Sequence, residues 1–222
     1  MFRDDYISRQ IQIIVLILAR ILGLSKGREF IDALSLLRMT FRDQLGTDLD
    51  AFLTVPDDRM LDYLTFGSTE AVALMHSSMA IALLNATATV YEDWDKAEQG
   101  RLYFQKAVNL LLEVELSGEE PPVLPEFVPT VDEMLEGKDL HQLSLESRGT
   151  LVFYFEREGE YAAAERVLNT MLADRPDDTE IHQLAVSFYE YLLDEHDEKL
   201  AEGGLPREEI LEKLEKHRLS LR

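Results

Sequence analysis

Apolar residues recur along most of this 222-residue chain at the three- and four-residue spacing of amphipathic helices. Residues 28–45 show the pattern well, with one apolar stripe formed by Phe30, Ile31, Leu34, Leu37, Phe41 and Leu45. The same spacing predicts helices at about 57–65, 70–92, 96–116, 131–136, 140–158, 161–174, 179–198 and 206–219. Because no stretch alternates apolar and polar residues as a half-buried strand does, we predict an all-α protein.

The most apolar stretch, Ile11–Leu24, has three interpretations. A membrane-spanning helix needs roughly 20 apolar residues, but Arg9 and Arg20 leave only ten residues between them. A signal peptide needs a basic start and a small-residue cleavage site, whereas Asp4 and Asp5 stand in the start and no such site follows. We therefore expect no membrane span, and a helix that is apolar around most of its circumference and buried on several sides.

Burial of this helix against its own chain and burial against a second copy are both open. An apolar helix at the end of a chain is a suitable dimer element, and the predicted self-association residues are Ile11, Ile14, Leu18 and Ile21. A self-associating structural homodimer is therefore one hypothesis for the function of the chain.

Residues 117–130 interrupt the helical pattern. They contain four of the seven prolines, Pro121, Pro122, Pro125 and Pro129, and three glutamates but no basic residue. Proline removes a backbone donor and biases its predecessor away from the helix, so we predict an extended linker that packs along a surface through residues such as Phe127 and Val128. The expected organisation is a helical region at 1–116, the linker, and a helical region at 131–222, with one continuous domain as the alternative.

In Leu145–Asp178, two predicted helices flank a tight turn. The pattern is carried by Gly159 and Tyr161 at the turn, Ala164, Leu168 and Met171 in the second helix, and Pro176 at its end. Glycine permits the turn, the small alanine lies where the helices touch, and proline stops the second helix. The segment resembles one tetratricopeptide repeat, a 34-residue helix–turn–helix unit, although Val152 stands where that pattern usually has a small residue.

Two weaker matches accompany this unit. One spans Ile81–Leu112, with matching residues Ala88, Tyr91, Phe104 and Ala107 but without the glycine turn. Another begins at Thr179, with Val186 and Tyr189 in register, and its second helix is displaced by an insertion at Asp194–Leu205. The resemblance implies antiparallel helix–turn–helix pairs in a right-handed superhelical array, preceded by the extra apolar helix.

The first eleven residues, M-F-R-D-D-Y-I-S-R-Q-I, carry a second resemblance. They resemble the start of a bacterial family of unknown function, whose members begin with an Asp-Tyr-Ile-x-Arg-Gln-Ile helix and continue into tetratricopeptide-like helices. This resemblance covers the chain from end to end. It implies a fold and no activity.

Charge and composition exclude several kinds of partner and chemistry. The formal net charge is −21, from 43 acidic and 22 basic side chains, and such a surface repels phosphate backbones, so we expect no nucleic-acid partner. Residues 1–45 differ, with seven basic and five acidic residues against 15 and 38 in the remainder. The absence of cysteine excludes disulfides and thiolate chemistry, and it fits a reducing cytoplasm, which is the expected location.

No catalytic, cofactor-binding or metal-binding residue is predicted. None of the five histidines has an acidic residue three positions before it or four positions after it, which is the spacing of a helical metal site. The acidic run Asp194–Glu198 lacks the spacing and the glycine of a calcium loop. An enzyme or small-ligand binder with a site built from scattered residues stays a third hypothesis.

The expected partner surface follows from the tetratricopeptide resemblance. Such arrays bind peptides on a concave face lined by their first helices, and the corresponding residues here are Glu146, Phe153, Glu156, Glu180, Gln183, Ser187 and Glu190. Acids stand where chaperone-binding members carry Lys, Arg and Asn, so the expected ligand is a basic or amphipathic protein segment. The alternative is that the aromatics Phe153, Tyr154 and Tyr191 belong to the core and the acids only face solvent.

The only tryptophan, Trp94, lies in an acidic turn between two predicted helices. It is expected to pack across that turn, with an exposed anchor for a partner as the alternative. Because the chain has a repeat and lacks recognisable catalytic chemistry, we predict a non-catalytic protein-interaction scaffold or adaptor rather than an enzyme.

Overall fold

The computed structural model describes the backbone of residues 2–221 and the side chains of residues 8–221, and all regular structure in that part is helical. The α-helices are α1 (Phe2–Lys26), α2 (Phe30–Leu45), α3 (Leu49–Phe52), α4 (Met60–Thr65), α5 (Glu70–Asp93), α6 (Ala97–Glu115), α7 (Val131–Leu135), α8 (Leu145–Arg157), α9 (Tyr161–Asp174), α10 (Thr179–Leu193), α11 (Asp197–Glu202) and α12 (Arg207–Ser220). Single 3₁₀ turns at Asp57–Arg59 and Leu140–Gln142 precede α4 and α8. The prediction of an all-α protein is confirmed for the described residues.

The chain forms two compact units, Met1–Lys138 and Asp139–Arg222. The proline-rich segment at 117–130, predicted as the linker, lies within the first unit together with α7, which packs against α6. Val128 of this segment is buried, while Val123 is exposed. The boundary between the units therefore falls after α7, later in the chain than the prolines.

In the first unit, α5 is the central helix and contacts α1, α2, α4 and α6. Its buried small residues are Ser77, Ser78, Ala80, Ala82, Ala86 and Ala88. They let the neighbouring helices approach closely: a Cβ atom added at Gly100 of α6 would lie 2.9 Å from the carbonyl oxygen of Ala88. On α2, Leu34, Leu37 and Phe41 of the predicted stripe are buried in the same core.

Trp94 lies in the turn between α5 and α6. Its indole stacks on Phe30 with the ring centroids 5.5 Å apart, and the Lys96 ammonium group lies 3.2 Å from an indole centroid. The indole is therefore packed, but its ring partner belongs to α2 and not to the helices that the turn joins. Because Trp94 is the only tryptophan and lies in Met1–Lys138, its fluorescence reports on the first unit.

In the second unit, α8 and α9 pack along each other and are joined by a turn at Gly159, whose φ is 77°. Both helices lie within the repeat pattern predicted at Leu145–Asp178. Ala164 is fully buried, and Ser144 caps α8 by accepting a hydrogen bond from the Ser147 amide. The helix α10 pairs with α12, and the predicted insertion holds the short α11 between them.

Candidate interaction surface

Three of the predicted partner-binding residues lie on α8. Glu146, Phe153 and Glu156 are spaced so that they share one face of that helix. Glu146 and Phe153 are exposed, Phe153 over 53% of its surface, and Glu156 is half-buried. Tyr191 of α10 is exposed as well, and Tyr154 is half-buried. The alternative that places these aromatics in the core is therefore wrong for Phe153 and Tyr191.

The other four residues, Glu180, Gln183, Ser187 and Glu190, are exposed on one face of α10. Glu190 accepts a hydrogen bond from Arg218 Nη2 of α12 at 2.8 Å. Helix contacts join α8 to α9, α9 to α10 and α10 to α12. We refer to the seven residues on α8 and α10 as the acidic face.

Burial shifts the pKa of one residue in the acidic face, Glu156. The Glu156 carboxyl is half-buried, and this burial raises its pKa above the ordinary value of a glutamate. Burial is the cause of this shift. A cation brought by a ligand would lower this pKa and stabilise the charged carboxylate.

The structure also brings together two histidines that lie too far apart in sequence for a spacing search. His182 of α10 and His217 of α12 are buried, with their Nδ1 atoms 2.9 Å apart. His182 Nε2 lies 2.8 Å from the Pro176 carbonyl oxygen, which can only accept, so His182 carries its proton on Nε2. His217 Nδ1–H therefore donates to His182 Nδ1. The pair ties α12 to α10 and to the loop between α9 and α10 at Pro176.

A hydrogen-bonded cluster beside the histidine pair joins three helices. Tyr189 of α10 stacks on His217 and donates its hydroxyl proton to Glu165 of α9 at 2.6 Å. Lys213 of α12 donates to the same carboxylate at 2.8 Å. Burial, and then the bond to Glu165, raise the pKa of Tyr189 well above its ordinary value, so the hydroxyl keeps its proton. Within residues 8–221, no group of three or more His, Asp or Glu side chains is arranged to hold a metal ion.

We expect the second unit to lose stability as the pH falls below about 6.5. Burial is the main cause that lowers the pKa of His217, with smaller contributions from His182 and Lys216. Glu165 opposes the shift. Between the ordinary histidine pKa of about 6.5 and the lowered folded value, the unfolded chain binds a proton that the folded chain does not. The contribution of His217 to the free energy of unfolding is therefore fully present above about pH 6.5. As the pH falls across that interval, the free energy of unfolding decreases by about 1.4 kcal/mol per pH unit.

Urea denaturation followed by circular dichroism between about pH 7.5 and pH 5.5 measures this dependence. The variant His217→Gln removes the titrating imidazole and is expected to flatten the curve in that interval. His196→Gln is the control, because it changes an exposed histidine and should keep the wild-type slope. Equal slopes in the wild type and in His217→Gln would contradict a role for the buried pair.

The four predicted self-association residues are covered to different extents by the first unit. Ile14 and Ile21 are buried in its core, and Ile11 and Leu18 are half-buried. A helix that is apolar around most of its circumference does not reveal which face its own chain covers. The exposed large apolar side chains of α1 are instead Ile13, Val15, Leu16 and Leu22.

Two helices among the described residues are long and apolar enough to cross a membrane, judged by length and composition alone. They are Ser8–Lys26 and Glu70–Asp93. The second is the core helix α5, and 67% of its apolar 18-residue stretch is buried. For the first, within α1, the buried share is 17%, so the two helices differ in how much of their apolar surface the chain itself covers.

The fold defines an all-α protein built from helix pairs, in which α8–α9 and α10–α12 form the second unit. The chain belongs to the family of unknown function DUF6483, whose profile matches residues 1–220. The expectation that one uncharacterised family covers the chain from end to end is thereby confirmed. No curated protein and no solved structure matches the chain. Any function must therefore be inferred from the residues themselves.

Proposed function

We propose that this chain is a non-catalytic scaffold or adaptor that binds a basic or amphipathic segment of another protein on the acidic face. The exposed Phe153, between Glu146 and Glu156 on one face of α8, is the observation that carries the proposal. In this interpretation α8–α9 and α10–α12 are tetratricopeptide-like pairs, because both helices of the first pair lie within the repeat pattern. The proposed location is the cytoplasm, and the net charge of −21 argues against a nucleic-acid partner.

An exposed aromatic side chain with acids beside it suits a ligand that has both apolar and basic residues. Single exposed apolar residues are common on protein surfaces, so Phe153 gains its weight from its neighbours. Aromatic residues often anchor protein interfaces, and Glu146 and Glu180 supply negative potential that attracts a basic segment, whereas Glu190 is already paired with Arg218. The half-buried Glu156 adds a carboxyl whose charged form the ligand would stabilise.

Fluorescence anisotropy with a labelled amphipathic helical peptide of leucine and lysine tests the proposal. The full chain should bind this peptide at least about tenfold more tightly than a matched peptide with glutamate in place of lysine. Added salt should weaken the binding, because exposed charges are screened. Phe153→Ala should weaken it by about tenfold, since truncation of an aromatic anchor usually costs more than about 1 kcal/mol.

Phe66→Ala is the matched control, because Phe66 is also an exposed phenylalanine but lies between α4 and α5 in the first unit. It should leave the affinity for the lysine peptide unchanged. Circular dichroism should show both variants folded, since each removes an exposed side chain. Equal affinity for the lysine and glutamate peptides would contradict the acidic face as the binding surface. An equal loss of affinity in Phe153→Ala and Phe66→Ala would contradict it as well.

A further inference from the structure

The first helix leaves an apolar face that its own chain does not cover. Only 17% of the apolar 18-residue stretch within Ser8–Lys26 is buried, against 67% of the corresponding stretch in the core helix α5. Leu16 is 70% exposed at the centre of this face. The other exposed large apolar side chains are Ile13, Val15 and Leu22. Exposed apolar residues clustered on one element mark an interaction surface.

Small residues allow another helix to approach this face. Ala19 and Gly23 follow Leu16 on the exposed side of α1. A Cβ atom added at Gly23 would meet no atom of the chain within 4 Å. Because the distance between packed helices depends on the side chains at the contact, a partner helix could lie close to α1 along this stretch.

A groove of about 280 Å³ runs beside this face. Its apolar lining comes from Leu18 and Leu22 of α1, Ala82 and Ala86 of α5, and Phe127 of the proline-rich segment. The exposed acids Glu126 and Glu133 also line it. With Asn85, Thr89 and Pro129 also in the lining, the groove is mainly apolar and carries two acids, and it shares Leu22 with the uncovered face of α1.

The charges of α1 complement those of the groove. Four basic residues of α1 outnumber its two acids, Asp4 and Asp5, and from residue 8 onward its charged side chains are Arg9, Arg20 and Lys26. A helix with this sequence offers apolar residues and positive charge to a surface that offers apolar residues and negative charge. We propose that the occupant of this face is α1 of a second copy of the chain. The two helices pack against each other, and every contact is repeated about a two-fold axis.

An anionic membrane surface is the competing occupant, because α1 is both apolar and basic. The net charge of −21 disfavours a membrane, since a negative leaflet repels an acidic body. Glu126 and Glu133 disfavour it locally for the same reason. A second copy carries the same net charge, but it removes the local repulsion, because these carboxylates then receive the arginines of the partner helix.

Sedimentation velocity of the full chain over a range of concentrations measures the assembly. The expected species is a dimer of twice the 25.5 kDa chain mass. Leu16→Glu should raise the dimer dissociation constant by about a hundredfold, because a two-fold interface loses about tenfold in each copy. Leu102→Glu is the matched control: Leu102 of α6 is 55% exposed outside this face, and its substitution should leave the dimer unchanged.

Gly23→Leu separates folding from assembly. The added side chain enters open space in the single chain and improves helix propensity, but it holds the partner helix away, so a folded monomer is expected. A wild-type monomer at every concentration, or a dimer that Leu16→Glu and Gly23→Leu both leave intact, would overturn the proposal. Flotation with vesicles of phosphatidylcholine and phosphatidylglycerol tests the membrane. If the wild-type chain binds these vesicles as a monomer, and if Leu16→Glu abolishes that binding, the dimer proposal is overturned as well.

Discussion

Gly203→Ala is expected to lower the free energy of unfolding of the second unit by about 3 kcal/mol, the upper part of the usual range for overpacked interiors. Gly203 follows α11 with an ordinary φ of −74°, so the cost is steric rather than conformational. A Cβ atom there would lie 2.3 Å from Tyr161 Cδ2 and 2.5 Å from the Gly159 carbonyl oxygen. Neither atom can move away easily, because one belongs to the backbone and the other to a fully buried ring.

Gly149→Ala is the control for this substitution. Gly149 lies inside α8, and a Cβ atom there meets no atom within 4 Å, so alanine should stabilise the helix by about 0.5–1 kcal/mol. Urea denaturation followed by circular dichroism measures both variants, and Trp94 fluorescence should show the first unit unchanged. Wild-type stability in Gly203→Ala would show that the insertion does not pack on the turn at Gly159.

Loss of the Asp174 carboxylate is expected to destabilise the second unit more than loss of the Arg148 guanidinium. The Arg148 side chain is 4% exposed and donates to Asp174 at 2.5 Å, whereas the Asp174 side chain is 36% exposed. Asp174→Ala leaves a buried positive charge without its counter-charge and should lower the melting temperature by roughly 10 °C. Arg148→Met leaves a carboxylate that water reaches and fills much of the volume, so a decrease of roughly 4 °C or less is expected.

The acid limb of the stability curve tests the same ion pair. The hydrogen bond from Arg148, and then the contact with His141, hold the pKa of Asp174 below its ordinary value. The stability from this group is therefore complete above about pH 3.9 and is lost as the pH falls through the lowered pKa. Asp177→Ala, which removes an exposed carboxylate nearby, should change neither the melting temperature nor this limb. A larger decrease in melting temperature for Arg148→Met than for Asp174→Ala would contradict the cost assigned to a buried Arg148 charge without its partner.

The helices of the second unit follow from signals that are local in the sequence. The helix α9 begins and ends as predicted, because Gly159 makes the turn before it and Pro176 follows it. The helix α8 begins at Leu145 rather than at the predicted residue 140, because Ser144 caps it and Leu140–Gln142 form a separate 3₁₀ turn. Six of the seven residues of the acidic face are exposed, as helical periodicity implies once the buried face is known. The exposure of these six residues could therefore be predicted from the sequence, whereas the half-burial that raises the pKa of Glu156 could not.

Contacts between helices that are distant in sequence could not be predicted in this way. His182 and His217 are 35 residues apart, and Arg148 and Asp174 are 26 apart, while a spacing search tests only neighbours on one helix. The covered side of α1 was also beyond prediction, because its apolar residues surround the helix and give no preferred face. Packing against α2 and α5 buries one side of α1, including Ile14, and leaves other apolar residues outside.

NMR spectra of the isotope-labelled full chain, titrated with the leucine–lysine amphipathic peptide, test the proposed interaction most directly. We predict saturable chemical-shift changes at Gly149 and Phe153 on α8 and at Gln183 and Ser187 on α10. The spectra of Phe66→Ala should change in the same way, and those of Phe153→Ala should need about tenfold more peptide. Changes confined to the first unit, or no change at a large excess of peptide, would contradict a binding function for the acidic face.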